Sequence, residues 1–498
     1  MKRKLRTLFL SLFFLLLLPI PLKENADGHT FIKCISANSI AGDNKKVYFP
    51  DKNLETAVRA VINKPNEEIY VSDVGRIEEL IINNKNISNL EGIQYLAGLK
   101  KLNLMFNDIQ DIKPLSSLKN LQSINLGYNN ISDISPLEKL INLTNLNLQS
   151  NKISKIDILS KLVNLESLSL YNNRVSDLLP LSSLVNLKDL DLYINKIQII
   201  NSLDRLVNLE SLSLGMNQIS NIDTLKSLTS LKTLELIQNN VSDIKSLSGL
   251  TKLTDLNLYG NQITDISPLS SLKNLKNLDL SNNKITNVSG LRSLENLIQL
   301  KIENNKLKDV KGLGSLEKLE SLVLSYNQID NIDEIGLLNN LKILNANNNK
   351  IRDVKELGKL RNLLSVDISQ NQISDISPLM MLDTLPLTNI NFSGNPLPKY
   401  VFDDQQYQQL ILSMLFPYIE KSVEKHYGEL RQYMNAGIIN IEKIKEGFQI
   451  KVIIETFVGP HNPPYGLDTI TFIKSDSEIK EVDFNHQDEN FCNYKRTY

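Results

Sequence analysis

At 498 residues the chain exceeds what one ordinary hydrophobic core supports, so it is either several domains or one elongated array. Trp is absent, and 55 Lys and Arg nearly balance 56 Asp and Glu, which excludes the long-range basic field that gathers nucleic acid. The excess of Leu, Asn, Ser, Ile and Lys points to one small packing problem solved many times.

In chain order, Met1-Lys2-Arg3-Lys4-Leu5-Arg6 followed by an apolar run from Leu8 to Ile20 is the pattern of an export signal, assigned to residues 1–26. Pro19 and Pro21 close the run without an A-x-A site, and Ala26 and Ala37 are imperfect cleavage positions, so cleavage and retention as an anchor both stay open. The expected location is secreted or cell-surface, with no membrane span in the mature chain once the signal is removed. Cys34 and Cys492 stand at opposite ends and are expected to be unpaired thiols rather than a disulfide framework. After a linker over 27–46, the stretch Pro50 to Ile62 puts Leu54, Val58, Val61 and Ile62 on one helical face with Asp51 as N-cap. A helical cap over 47–76 is expected, because the first unit of an array would otherwise expose its apolar edge.

The array has a period of 22 residues. The first Leu of L-x-L-x-x-N-x-I recurs at Leu80, Leu102, Ile124, Leu146, Leu168, Leu190, Leu212, Leu234, Leu256, Leu278, Leu300, Leu322, Leu344 and Val366 without an insertion. A fifteenth unit, Ile390 to Leu397, arrives two residues late, as terminal repeats do. The alternation of Leu102 and Leu104 with polar neighbours predicts a short half-buried strand. Five residues past each marker stands an Asn, from Asn107 to Asn371, whose amide both donates and accepts and so serves backbone groups where the chain turns away from the strand. Lys85 replaces it in the first unit. Ile109, Ile112, Leu115, Leu118 and Leu121, spaced by threes, predict a 3₁₀ or irregular helical return, and Pro114, Pro136, Pro180, Pro268 and Pro378 stand where such a turn starts.

The recurring L-x-x-L-x-L-x-x-N-x-I-x-x-I-x-x-L over 77–397 resembles the 22-residue leucine-rich repeats of the bacterial internalin family. The resemblance implies an α/β solenoid: a right-handed leucine-rich-repeat superhelix with a concave parallel β-sheet, a role in protein binding, and display outside the cell. Residues 50–62 are similar to the helical cap of that family. A more distant likeness is to regulatory subunits of protein phosphatases, a role the export signal argues against.

Beyond Asn395 the period vanishes and a small α+β domain is expected over 398–498, with a helix from about Asp404 to His426 and strands at Phe448–Val458, Asp468–Lys474 and Ile479–Phe484. Phe416-Pro417-Tyr418-Ile419, His426-Tyr427-Gly428, Thr456 to Gly466 and Thr469-Ile470-Thr471-Phe472 together resemble a small family of exported proteins of spore-forming Gram-positive bacteria that has no assigned activity.

The four histidines, His29, His426, His461 and His486, lie outside any H-E-x-x-H, and no G-x-S-x-G elbow or phosphate-cradling loop occurs. No metal, cofactor or catalytic residue is expected, and the chain reads as a non-enzyme. His461, with Asn462 and Tyr465, sits on a proline-rich loop that is either structural or a ligand position.

On each strand the positions one before, one after and three after the marker are expected to face solvent, with residues 22 apart forming columns across strands roughly 4.8 Å apart. Tyr171, Tyr193, Ile237 and Tyr259 share one column, interrupted by Gly215, and Phe106, Tyr128, Ile194 and Met216 stand beside it. Exposed aromatics dominate interface energies at little entropic cost. Asp189, Asp191, Glu235, Asp255 and Asp279 favour a partner with basic groups. The expected function is adhesion or recognition by a monomer that binds a protein, or alternatively a glycan, and no nucleic acid. The alternative is a repeat scaffold that targets a ligand-binding or catalytic C-terminal module.

Overall fold

The structure, a computed structural model, describes residues 45–380, 382, 385, 389–396, 404–427, 432–444, 447–457, 466–475 and 479–488. The export segment, both cysteines and the loop bearing His461, Asn462 and Tyr465 lie outside the described residues. The chain forms two compact units, one through Lys196 and one from Ile197.

In the first unit, helices α1 (Lys52–Ile62) and α2 (Val71–Val74) precede six three-residue strands. These are β1 (Glu79–Ile81), β2 (Lys101–Asn103), β3 (Ser123–Asn125), β4 (Asn145–Asn147), β5 (Ser167–Ser169) and β6 (Asp189–Asp191). Each pairs in parallel with the next at an offset of 22 residues, Leu80 opposite Leu102 and Leu168 opposite Leu190. Leu54, Val58 and Val61 of α1 are buried, while Asp51 Oδ1 accepts from the N–H groups of Asn53 and Leu54 and caps the helix. The other oxygen, Oδ2, accepts from Ser88 and Asn89 at 2.8 and 3.1 Å, tying the helix start to the first coil. Burial alone would raise the Asp51 carboxyl, but its four backbone N–H donors hold it below the usual carboxylate range.

The second unit continues the pattern with β7 (Ser211–Ser213), β8 (Thr233–Glu235), β9 (Asp255–Asn257), β10 (Asn277–Asp279), β11 (Gln299–Lys301), β12 (Ser321–Val323), β13 (Ile343–Asn345), β14 (Ser365–Asp367) and β15 (Ile390–Asn391). All pair in parallel, Leu212 opposite Leu234 through Val366 opposite Ile390. In both units the return path is built of short 3₁₀ helices such as Lys113–Ser117 and Ser267–Ser271, with Pro114 and Pro268 in their first turns, where a missing N–H costs nothing.

Each coil turns seven aliphatics inward. Leu102, Leu104, Ile109, Ile112, Leu115, Leu118 and Leu121 are all within 2% of complete burial, each contributing about 1.5–3 kcal/mol. The buried Asn column does what its chemistry predicts. Asn129 Nδ2 donates to the carbonyls of Leu104 and Leu126, both at 3.0 Å, and its Oδ1 accepts from Ile109 N–H at 3.0 Å, so one side chain joins two coils. A second Asn column, four residues before the marker, runs along the outside. Asn120, Asn142, Asn164 and Asn186 each donate to the carbonyl 23 residues earlier, at 2.9–3.0 Å.

After the one-turn helix α3 (Ser377–Met380), the C-terminal module consists of α4 (Asp404–Tyr427) and an antiparallel meander of β16 (Gln432–Ile444), β17 (Gly447–Phe457), β18 (Gly466–Lys474) and β19 (Ile479–Asp488). Leu415, Ile419 and Val423 of α4 pack on Ile450, Val452, Ile454, Ile470 and Phe472. Strand β16 is absent from the sequence expectation. Its pairing with β17 breaks register at Met434/Gly437 and again at Ile438/Asn440, and such irregularities erase the alternation by which strands are recognised. Among the described residues no helix is long and apolar enough to cross a membrane, and no group of His, Cys, Asp and Glu is arranged to hold a metal.

Candidate partner-binding surface

The strand side of the coils is laid out by one backbone device. Four residues past the marker every coil enters the left-handed region, from Asn84 (φ 53°) through Phe106 (58°), Tyr128 (54°), Ile194 (55°), Met216 (52°) and Tyr326 (54°), with Gly only at Gly260 and Gly394. This turn ends the strand, aims the next residue, the ladder Asn, inward, and lets the N–H of Phe106 reach Gly127 O at 3.0 Å on the next coil. It also pushes its own side chain outward. Phe106 and Tyr128 are 48% and 36% exposed and stack with ring centroids 4.3 Å apart.

The column three past the marker is less open than its spacing suggests. Tyr171, Tyr193 and Tyr259 are half-buried, and Ser281 and Ser325 are buried. Ile237, expected in the exposed column, is 9% exposed: a short branched side chain one coil from Tyr259 is covered where strands sit about 4.8 Å apart.

In the first unit the Tyr171 and Tyr193 rings stack at 5.7 Å. Asp191 Oδ2 accepts from Ser169 Oγ at 3.1 Å, and its Oδ1 accepts from Tyr193 N–H at 3.1 Å; Asp189 is half-buried at the start of β6. Burial, then the neighbouring Tyr128 and Asp191, raise the Tyr171 phenol above its ordinary range. In the second unit Met216 is exposed, and a separate depression of about 180 Å³ is lined by Thr233, Glu235, Asp255, Asn277, Asp279 and Lys301 among others. Glu235 Oε2 accepts from Ser213 Oγ at 2.8 Å and Asp255 Oδ1 from Asn277 Nδ2 at 2.6 Å, which holds both carboxylates in place. Burial, then Glu303 and Asp279, raise the Tyr259 phenol.

Models of paired leucine-rich repeats match residues 97–139, 119–161, 141–183, 207–250, 229–273, 251–293, 295–337 and 339–379, together more than half of the chain. An internalin crystal structure from Listeria monocytogenes is 34% identical with a TM-score of 0.59, the alignment covering 70% of this chain and 96% of that one. The chain belongs to the internalin-type leucine-rich-repeat proteins. A leucine-rich-repeat protein of Leptospira interrogans is 31% identical over 64% of this chain and 84% of that one, with a TM-score of 0.60. The functional domain of a second Listeria monocytogenes internalin shares the fold at 20% identity and a TM-score of 0.60, over 82% and 94% of the two chains. Residues 407–488 match a family described as a protein of unknown function, DUF3888. No curated protein matches the chain.

In this internalin-type array the left-handed column was invisible in the sequence, since Phe, Tyr, Ile, Met, Gln, Ser and Asn all occupy it. Tyr326, 59% exposed in that column, was missed for the same reason. A branched residue at positive φ is an outlier costing about 1–2 kcal/mol. Ile194→Asn is therefore expected to raise stability by about 1 kcal/mol, read as a higher urea midpoint at unchanged slope. A lower midpoint would show that the Ile194 side chain returns more in packing than its backbone costs.

Proposed function

We propose that the chain is an exported recognition protein, secreted or held at the cell surface, that captures a protein partner on the strand side of its repeats. The carrying observation is the division of labour within each coil. Inward positions keep the same aliphatics and Asn from coil to coil, while outward strand positions change, and stacked aromatics gather at Phe106–Tyr128 and Tyr171–Tyr193. Variation confined to the outward face is what a recognition surface built on interchangeable units requires. Family membership supports a binding scaffold, and the basic, apolar N-terminus supports export. Helix α1 fits the role of a cap over the first coil, since Asp51 bonds both elements.

The partner carries basic groups on this reading. In the first unit Asp189, Asp191 and Ile194 share the strand side with the stacked Tyr171 and Tyr193 rings, which also attract cations, and in the second unit Glu235, Asp255 and Asp279 line the depression, with Met216 and Tyr259 elsewhere on the same strand side. To test it, the full chain is immobilised, proteins retained from cell-surface extracts are identified, and the identified partner is titrated directly. The Tyr171→Ser/Tyr193→Ser chain is expected to bind it about 100-fold more weakly, as the loss of two aromatic anchors implies. Unchanged affinity with unchanged circular dichroism would remove the aromatic face from the site.

A further inference from the structure

The array treats its charged residues in two ways. In the column two residues before the marker, lysines meet glutamates one coil back: Lys100 with Glu78, Lys232 with Glu210 and Lys342 with Glu320, at 2.6–2.9 Å. The column six residues past the marker does the opposite. Between Asn86 and Gln372 it holds Lys152, Arg174, Lys196, Lys284, Lys306 and Lys350 against one carboxylate, that of Asp108, in a chain whose 55 basic and 56 acidic residues nearly balance. One charge is thus gathered along one flank.

Three of these cations stand on consecutive coils of the first unit. The N–H groups of Lys152, Arg174 and Lys196 donate to the carbonyls of Ile131, Ile153 and Val175 at 2.8, 2.8 and 2.9 Å, which stacks the coils in register here at about the strand spacing of roughly 4.8 Å. All three side chains are exposed, and among the described residues no ion pair holds any of them. The carboxylate nearest in sequence, that of Asp177, accepts from the Leu179 N–H at 2.9 Å. Like charges set opposite one another on neighbouring coils repel, a cost that anionic groups laid along the row remove. The row lies past the strand-ending turn and the ladder Asn, off the strand side, so partner capture there leaves it unused.

We propose that this flank is a second binding surface, for a linear anionic polysaccharide that carries an acid group on successive sugars. A sugar ring advances its chain by about one strand spacing, so one acid group meets one cation on each coil. Arg174, between the two ammonium groups, can take a carboxylate or sulfate through two parallel N–H donors. Ser150 and Asn172 two residues before the cations, and the exposed Ser154 and Ser176 two residues after, offer hydroxyl and amide groups to sugar hydroxyls. An acidic peptide fits less well, since a strand presents same-face carboxylates roughly 6.6 Å apart against roughly 4.8 Å between coils. Single-stranded nucleic acid stacks its bases on aromatic rings, and these flanking positions hold none; a duplex is gathered by a basic field that the balanced chain lacks.

The test uses the full chain, with heparin as the probe and uncharged dextran as the control. The parent is expected to bind heparin and not dextran. Lys152→Ser/Arg174→Ser/Lys196→Ser, with unchanged circular dichroism, is expected to bind heparin at least about 10-fold more weakly, and its slope of log affinity against log salt to be shallower by about 2–3, one counterion for each lost contact. Lys152→Arg/Lys196→Arg keeps the charges and should bind as the parent does. Lys100→Ser/Lys232→Ser/Lys342→Ser removes the same net charge from the paired column and should change the affinity by less than about 2-fold, because charges away from the row are screened. A parent that does not bind heparin, an equal loss in the paired-column variant, or tighter binding of poly-glutamate or single-stranded DNA than of heparin overturns the proposal. No protein partner enters these titrations, so they stand or fall apart from capture on the strand side.

Discussion

An Asn261→Leu chain is expected to lose about 2 kcal/mol of local stability. Asn261 is 3% exposed; its Nδ2 donates to the carbonyls of Leu236 and Leu258 at 2.8 and 3.1 Å, and its Oδ1 accepts from Val241 N–H at 3.0 Å. Leucine fills nearly the same volume, so no cavity opens. What changes is that the Val241 N–H loses its partner where water does not reach, costing about 1–3 kcal/mol, while Leu236 O and Leu258 O each lose one of two donors and keep Asn239 and Asn283. Coils interact only with their neighbours, so the loss should first appear locally, as exchange of the Val241 amide accelerated by about 30-fold under native conditions. Urea unfolding should follow with a lower midpoint. A cost below about 1 kcal/mol would mean that the Val241 N–H finds another acceptor once Asn261 is gone.

The second large effect is expected at the start of the array. Gly92 has φ +103°, and a Cβ there would stand 2.5 Å from Phe49 Cδ1 and 2.8 Å from Tyr48 O. Gly92→Val therefore combines backbone strain of about 1–3 kcal/mol with overpacking of similar size. Amide exchange in residues 47–61 should accelerate by two decades or more, because the segment carrying Phe49 must move away from the first coil. Adding Phe49→Ala relieves the ring contact but not the contact with Tyr48 O, so it should restore only part of the loss. Gly249→Ala, where an added Cβ meets nothing within 4 Å, should be neutral or slightly stabilising. Equal behaviour of the two glycine variants would refute the packing of Phe49 on the first coil.

Much of this architecture is legible because it repeats. Fifteen markers, the Asn five residues on and Pro in the return turn each state one requirement many times, and Asp51 announces a helix start by its own chemistry. What could not be read was conformational or long-range. Beside the Asn and Gly that favour it, the left-handed column also takes Phe, Tyr, Ile, Met, Gln and Ser, so there the fold overrules local preference. That turn moves Phe106, Tyr128 and Met216 outward and leaves the Tyr171 column half-covered, so simple alternation misjudged which positions are most open. Strand β16 hid behind Asn435, Gly437 and Asn440. The hydrogen-bonded group of Tyr427, Asp468 and His486 in the C-terminal module draws on positions 18, 41 and 59 residues apart, and no local motif can encode such a meeting.

The two Asn columns constrain how such a gene can change length. In the regular coils an inner Asn such as Asn129 reaches a carbonyl 25 residues back and an N–H 20 back, and an outer Asn such as Asn142 a carbonyl 23 back. Recombination that adds or drops 22 codons joins equivalent points of two coils and leaves every bond with a partner of the same kind. A gain or loss of another size shifts these spacings and is met here only in the last unit, where two extra residues put Asn395 27 residues from its carbonyl and 22 from its N–H. Heritable variation in reach is thereby quantised, one coil at a time, so a lineage can lengthen its contact surface in whole steps while its interior chemistry stays unaltered.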